Sequence, residues 1–261
     1  ILNNIACINM CPSLKYIQII PSYQADASFV FSPLYEMPEI KSLSCQNRYG
    51  SREQFISEVD YSRIRGLISL SINVNRKTLN YNRVKTLKSL DVGGFKGKNH
   101  DLTDLFSSEE LDTLRLIQCG MYSLNGIETS RKMQCLYLHY NRSLRDISAL
   151  RKVKGTLKAL RIENCPKIED FSVLGELENL ELLELSGNNV LPNLNFLKTM
   201  KNLKTLIFNM NVLCGDLSPC LDLCYVYSEK NRKHYNLQDE DLPKKKYIRG
   251  NEGIDEWRRL E

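Results

Sequence analysis

The sequence has few of the residues and motifs on which enzymes and membrane proteins depend. No stretch approaches the roughly 18 consecutive apolar residues that cross a bilayer as a helix, so we predict no membrane insertion. There are only three histidines, His100, His139 and His234, and they lie far apart in the chain. No glycine-rich phosphate loop, nucleophile elbow, paired-histidine zinc motif or kinase signature occurs. We therefore predict that the chain is not an enzyme, has no cofactor and binds no metal.

The cysteines lack the pattern that disulfide-bonded domains show. Their number, nine, is odd, and no Cys-x-x-Cys pair occurs. Cys214, Cys220 and Cys224 cluster, but their irregular spacing does not match a structural zinc site, and His234 is the nearest histidine. We expect small buried thiols in a reducing compartment, and hence a cytoplasmic protein. A secreted or cell-surface location is the alternative, because a removed signal peptide leaves no trace.

An excess of one charge is also lacking. The formal net charge is +5 for 261 residues, and the basic residues are spread along the chain. Nucleic-acid-binding proteins usually show a basic face with supporting motifs, so we predict no nucleic-acid partner. Three lysines at 244–246 follow acidic residues at 239–241, which nearly cancel them and indicate a solvated loop.

What the sequence does contain is a repeat. The first clear copy is Leu111, Leu114, Leu116 and Cys119, with the pattern L-x-x-L-x-L-x-x-C. The steps between copies average about 22 residues, within the 20–29 range of leucine-rich repeats. The second leucine position recurs at Leu114, Leu136, Leu160, Leu183, Leu206 and, in a degenerate copy, Val226.

This pattern resembles the leucine-rich-repeat family, specifically the short class of bacterial internalins and of the repeat subunit that regulates a eukaryotic protein phosphatase. The resemblance is strong over residues 109–231. It implies an α/β solenoid, a horseshoe with a parallel sheet on the concave side and 3-10 or short-helix segments on the convex side. It also implies a non-enzymatic protein-interaction module of bacterial origin. The alternative function is a secreted or surface-anchored, internalin-like adhesin.

Earlier copies of the frame are looser. They are centred on Leu70 and, more weakly, on Leu43 and Ile17. The uneven gaps between them predict insertions in the first turns. Residues 21–38, which contain three prolines, are interpreted as one irregular loop.

These patterns divide the chain into two parts. We assign residues 1–231 to the solenoid, with irregular repeats over 1–108 and regular repeats over 109–231. Residues 232–261 form a C-terminal capping tail, because solenoids need their last turn covered. Within this tail we predict a short helix in which Trp257 packs back on the last repeat or on the loop before it.

The residue that ends each frame is predicted to turn inward. In the family such side chains hydrogen-bond the backbone of the bend, a role that suits buried polar groups. An inward Asn141 also explains why Asn141-Arg142-Ser143 is not expected to carry a glycan. The residues assigned to this structural ladder are Cys119, Asn141, Cys165, Asn188 and Asn211.

Alternation along each strand predicts the binding residues. Leucines two apart face the core, so the residues between them face the concave side. The first half of this surface is small and polar, whereas the second half carries arginine and tyrosine, which are enriched at interaction hot spots. We expect an unidentified protein as the partner and a monomeric chain. The residues assigned to partner binding are Arg115, Tyr137, His139, Arg161, Glu163, Glu184, Tyr225 and Tyr227.

Overall fold

The structure is a computed structural model in which residues 4–20, 30–45 and 58–245 are described. Its main feature is one sheet of ten strands, and every neighbouring pair in it is parallel. The strands are β1 (Tyr16–Gln18), β2 (Ser42–Cys45), β3 (Ser69–Asn73), β4 (Ser89–Gly93), β5 (Thr113–Ile117), β6 (Cys135–His139), β7 (Ala159–Glu163), β8 (Leu182–Ser186), β9 (Thr205–Phe208) and β10 (Tyr225–Ser228). Their order in the sheet is their order in the chain, which confirms the predicted parallel solenoid.

Between these strands the chain returns mainly through 3-10 segments, as predicted. Two short strand pairs accompany them, Val59–Asp60 with Thr78–Leu79 and Val190–Leu191 with Asn211–Val212. No helix in the described parts of the chain is long and apolar enough to cross a membrane. The 3-10 segments are Ala6–Met10, Tyr61–Arg63, Tyr81–Arg83, Ile127–Thr129, Ser148–Val153, Ser172–Glu176, Asn195–Thr199, Ser218–Cys220 and Asp239–Asp241.

A short α-helix, Pro33–Glu36, lies within the segment that the sequence analysis interpreted as an irregular loop. Proline suits the first helical position because its φ is already helical and its missing N–H has no partner to lose there. Leu34 of this helix is completely buried in the core. The described part of that segment therefore contributes regular structure and packing.

The core confirms the leucine frame. The residues at the second leucine position of each repeat form one buried column through the solenoid, because each of them pairs in register with its counterpart on the neighbouring strand. Each of these side chains contributes roughly 1.5–3 kcal/mol through burial, before chain entropy is subtracted. The column consists of Ile17, Leu43, Leu70, Leu90, Leu114, Leu136, Leu160, Leu183, Leu206 and Val226.

The described part of the tail covers the last turn of the solenoid. Val226 N donates to Pro243 O at 2.8 Å, and Lys245 N donates to Cys224 O at 3.0 Å, so the tail runs antiparallel along the outer edge of β10. Leu242 of the tail is buried in the core. Trp257 and its predicted helix lie outside the described residues.

All nine cysteines are free thiols. Five of them, Cys45, Cys119, Cys135, Cys165 and Cys220, are buried, and burial raises the pKa of Cys119 to about 12, so this thiol keeps its proton at neutral pH. The expectation of buried thiols is wrong at three positions, which are exposed. These positions are Cys7, Cys11 and Cys214. Cys7 belongs to a 3-10 segment that buries no residue, Cys11 directly follows this segment, and Cys214 lies in a surface turn.

Candidate binding surface

The side of the sheet away from the main core, which we call the concave face, carries alternate side chains of the ten strands. Because the strands pair in register, these side chains form rows across the sheet. His139 and Glu163 are neighbours in a second row, and Tyr225 ends a third row, next to Thr205. The central row consists of Asp91, Arg115, Tyr137, Arg161, Glu184, Ile207 and Tyr227.

Charged side chains of the central row pair across neighbouring strands. Arg115 Nη1 lies 3.7 Å from Asp91 Oδ2, and Arg161 Nε lies 3.2 Å from Glu184 Oε2. About a quarter of each of these side chains stays exposed. Such pairs add little stability, at most about 1 kcal/mol each, but they restrict the side chains. A partner would therefore meet charges that are already oriented.

His139 is held by the neighbouring strand. Its Nδ1 lies 2.6 Å from Glu163 Oε2, and because a carboxylate only accepts hydrogen bonds, the ring donates from Nδ1. Burial lowers the pKa of His139 from its usual 6.5, and the positive charge of Arg115 lowers it further, while Glu163 raises it in part. The net direction is downward, so the ring is neutral at pH 7 and adds no charge to the concave face.

Tyr137 cannot be a contact residue of the kind predicted, because its side chain is only 1% exposed. Its ring packs with Cys135, Ala159 and Leu182 in a small apolar cluster that is separate from the main core. The guanidinium of Arg161 lies over the ring, 5.2 Å from its centroid. Parallel strands bring these side chains so close together that the larger ones shield each other. The ring of Tyr137 therefore packs beneath the guanidinium of Arg161, on the side toward the sheet.

Tyr225 and Tyr227 lie at the C-terminal end of the concave face, under the tail. Lys244 Nζ is 5.5 Å from the centroid of each ring, within the range of cation–π contacts, and also bonds Asp239 Oδ1 at 2.7 Å. Lys244 thus has defined contacts, whereas the sequence indicated a solvated loop. Tyr227 remains 41% exposed.

The inward ladder begins as the frame predicts. Asn141 is fully buried, and its side chain accepts from Cys119 N at 2.8 Å and donates to Leu116 O at 3.0 Å. The two cysteines of the ladder contact the preceding turns through their thiols, which are weak donors. Cys119 Sγ lies 3.5 Å from Val92 O, and Cys165 Sγ lies 3.7 Å from Leu138 O. These contacts tie each bend to the turn before it.

The ladder prediction is wrong at Asn188, which is exposed. Gly187 before it has a φ of +138°, which essentially only glycine adopts, and this bend shifts the inward position by one residue. Asn189 takes the place instead, and its Nδ2 donates to Cys165 O at 3.0 Å and Ile168 O at 2.8 Å. Two asparagines in succession after a glycine are the sequence signal that this shift leaves.

Asn211 also departs from the prediction. It is half-buried, and its Oδ1 has no hydrogen-bond partner among the described residues. The next rung comes from the tail: Tyr235 Oη accepts from Val212 N at 3.0 Å and donates to Met210 O at 3.3 Å. The side chain that closes the ladder is therefore a tyrosine of the tail, at nearly the same sequence separation as in the other rungs.

Replacing Asn141 with alanine should lower the free energy of unfolding by about 1–3 kcal/mol, because the Cys119 amide and the Leu116 carbonyl would be left unpaired in the interior. Urea denaturation measures this loss. Asn188→Ala is the matched control and should change stability by less than about 0.5 kcal/mol. Equal losses in the two variants would contradict the ladder as described.

Within the described ranges, no three His, Cys, Asp or Glu side chains are arranged to hold a metal ion.

Comparisons with known proteins agree with the fold. No protein-family model matches the chain. Leucine-rich repeat-containing protein 56 of Rattus norvegicus is 32% identical over 116 residues, which make up 43% of this chain and 17% of that protein. A solved internalin (inlF) from Listeria monocytogenes matches with a TM-score of 0.59 at 17% identity, over 88% of this chain and 66% of that chain. The chain thus spans less than two thirds of either protein.

One similar protein comes from a rat and the other from a bacterium, so the bacterial origin stays a prediction. The fold does not depend on origin. The parallel sheet, the repeat frame and the likeness to a solved internalin agree. The chain folds as a leucine-rich-repeat solenoid.

Proposed function

We propose that the chain is a non-enzymatic protein-interaction module that binds a protein partner on the C-terminal half of the concave face. The observation that carries this proposal is the central row, which contains oriented, partly exposed Arg161 and Glu184 and, two strands beyond Glu184, exposed Tyr227. Arginine and tyrosine are enriched at interaction hot spots. Extended concave surfaces are also what solenoids use for binding.

The N-terminal half of the same face offers less to a partner. Its positions carry small side chains such as Ser42, Ser44 and Ser71, and the first two are buried. Small buried hydroxyls provide little contact area. The binding energy is therefore expected from the C-terminal half.

The thiols support a reducing compartment, and hence a cytoplasmic location. Each of the nine is free, and three of them are exposed to solvent. Exposed thiols oxidise readily outside the cell. This proposal concerns location only and assigns no role to the thiols.

Site-specific photo-crosslinking in cells that express the chain tests the proposed function. A photo-reactive phenylalanine at Ile207, in the central row, should give one defined protein adduct, because this position lies on the concave face. The same residue at Lys198, on the exposed convex segment Asn195–Thr199, should give none. Adducts from Lys198 alone, or equal adducts from both positions, would contradict the proposal.

The identified adduct then allows a quantitative test. Arg161→Ala combined with Tyr227→Ala should weaken its capture at least about tenfold, or about 1.4 kcal/mol, because a charge and an aromatic surface are lost together. Arg151→Ala, on the convex side, is the matched control and should capture the protein normally. Equal melting temperatures would show that all variants are folded.

A further inference from the structure

A shallow depression lies at the C-terminal ends of the last four strands, at the rim of the concave face. Its volume is about 310 Å³. Polar and charged groups line it, and three of them are carboxylates. The lining includes Glu163, Glu184, Ser186, Asn209, Glu229 and Lys230.

Two of these carboxylates retain an oxygen for a ligand. Glu184 Oε2 faces Arg161 Nε at 3.2 Å, and Glu229 Oε2 accepts from Asn209 Nδ2 at 2.7 Å. The Oε1 atoms of Glu184 and Glu229 accept no hydrogen bond from the residues that the structure describes. Asn209 is itself fixed, because its Oδ1 accepts from Gly187 N at 2.7 Å. Acceptors that point into the depression are thus held in place.

The charges in and around the depression favour a cation. Burial raises the pKa of Glu184, Arg161 lowers it, and Glu163 and Glu229 raise it again through their negative charge. Among the charged groups that act on Glu184, two are carboxylates and one, Arg161, is a cation. Lys230 also lines the depression, and Arg232 Nη2 donates to Asn209 O at 3.2 Å beside it. A positive group between the carboxylates would relieve the repulsion that Glu163 and Glu229 exert on Glu184.

Ser186 provides a second observation, independent of charge. Its side chain is only 7% exposed, on the concave side of β8, and its Oγ has no hydrogen-bond partner within the described part of the chain. A buried hydroxyl without a partner costs free energy, because its hydrogen bonds to water are lost and not replaced. A ligand that donates hydrogen bonds would satisfy both Ser186 and the free carboxylate oxygens.

We propose that this depression is a docking site for an arginine side chain of the partner protein. A guanidinium carries five donors and no acceptor, so it matches a lining that offers free carboxylate and hydroxyl oxygens. The inference rests on the proposed function and adds the chemistry of the partner: a basic segment reaches the acidic rim.

Binding of short peptides to the full chain tests the inference. The probes are a capped, fluorescent tri-arginine peptide and its tri-citrulline counterpart, which keeps the shape but removes the charge, and fluorescence anisotropy measures both at low ionic strength. The arginine peptide should bind at least about tenfold more tightly. Glu184→Gln combined with Glu229→Gln should remove most of this preference.

A matched control keeps the charge change and moves it elsewhere. Glu176→Gln combined with Glu178→Gln alters two exposed carboxylates on the convex side and should leave peptide binding unchanged. Equal binding of the two peptides, or equal weakening by both double variants, would overturn the inference. Glu229→Gln alone serves if the Glu184 variant unfolds, because Glu229 is exposed, and it should still weaken the arginine peptide severalfold.

Failure of the inference can be told apart from failure of the proposed function. The cross-link at Ile207 does not involve the depression. A defined adduct at Ile207, together with equal binding of the arginine and citrulline peptides, would contradict the arginine docking site and leave the proposed concave binding intact. Loss of the adduct with a retained arginine preference would overturn concave partner binding instead.

Discussion

Replacing Leu160 with aspartate should unfold the repeat array, with a loss of at least about 4 kcal/mol in the free energy of unfolding. Leu160 is completely buried and pairs in register with Leu136 on one side and Leu183 on the other. The variant removes this packing and leaves a carboxylate in an apolar interior with no counter-charge. Circular dichroism during thermal or urea denaturation measures the loss.

Lys167→Asp is the control for this change. It introduces the same side chain into the same turn, but at an exposed position. Its stability should stay within about 0.5 kcal/mol of the parent chain. A Leu160→Asp variant that melts like the parent would refute the in-register column of the core.

Gly126→Ala should cost about 3 kcal/mol or more, the second-largest effect of a single substitution that we expect. Gly126 has a φ of +97°, in the left-handed region that L-residues avoid. A Cβ added there would lie 2.5 Å from Thr103 N and 2.7 Å from the carbonyl carbon of Leu102. Both contacts are with backbone atoms of the preceding turn, so relief requires two turns to move apart.

Gly155→Ala isolates this cause. No atom outside its immediate chain neighbours lies within 4 Å of a Cβ built at Gly155, and its φ is not in the left-handed region. The substitution should be neutral or slightly stabilising, because alanine restricts the unfolded chain. Similar losses at both glycines, measured by urea denaturation, would mean that the close approach between turns has been misassigned.

The fold was predictable because its causes are local. Residues two apart in a strand face the same side, and a step of about 22 residues brings each strand beside the previous one. Leu114, Leu136 and Leu160 needed no further information to be placed in one column. Even the weak frames centred on Ile17 and Leu43 joined the sheet as β1 and β2.

The concave face and the ladder were harder to predict because their details depend on neighbouring turns. Tyr137 is in the predicted row, but burial under Arg161 follows from packing between strands. Asn189 faces inward in place of Asn188, because the bend at Gly187 shifts the inward position by one residue. The pairing of Tyr225 and Tyr227 with Lys244 joins residues that no periodicity connects.

The antiparallel course of the tail along β10 has a consequence for how long the array can grow. A further leucine-rich turn would have to add its strand in parallel, and the backbone donor of Val226 and acceptor of Cys224 that it would use are already bonded to Pro243 and Lys245. The antiparallel tail therefore occupies the backbone groups that a further parallel strand would need. Another coil could pair with β10 only if the tail first left this edge.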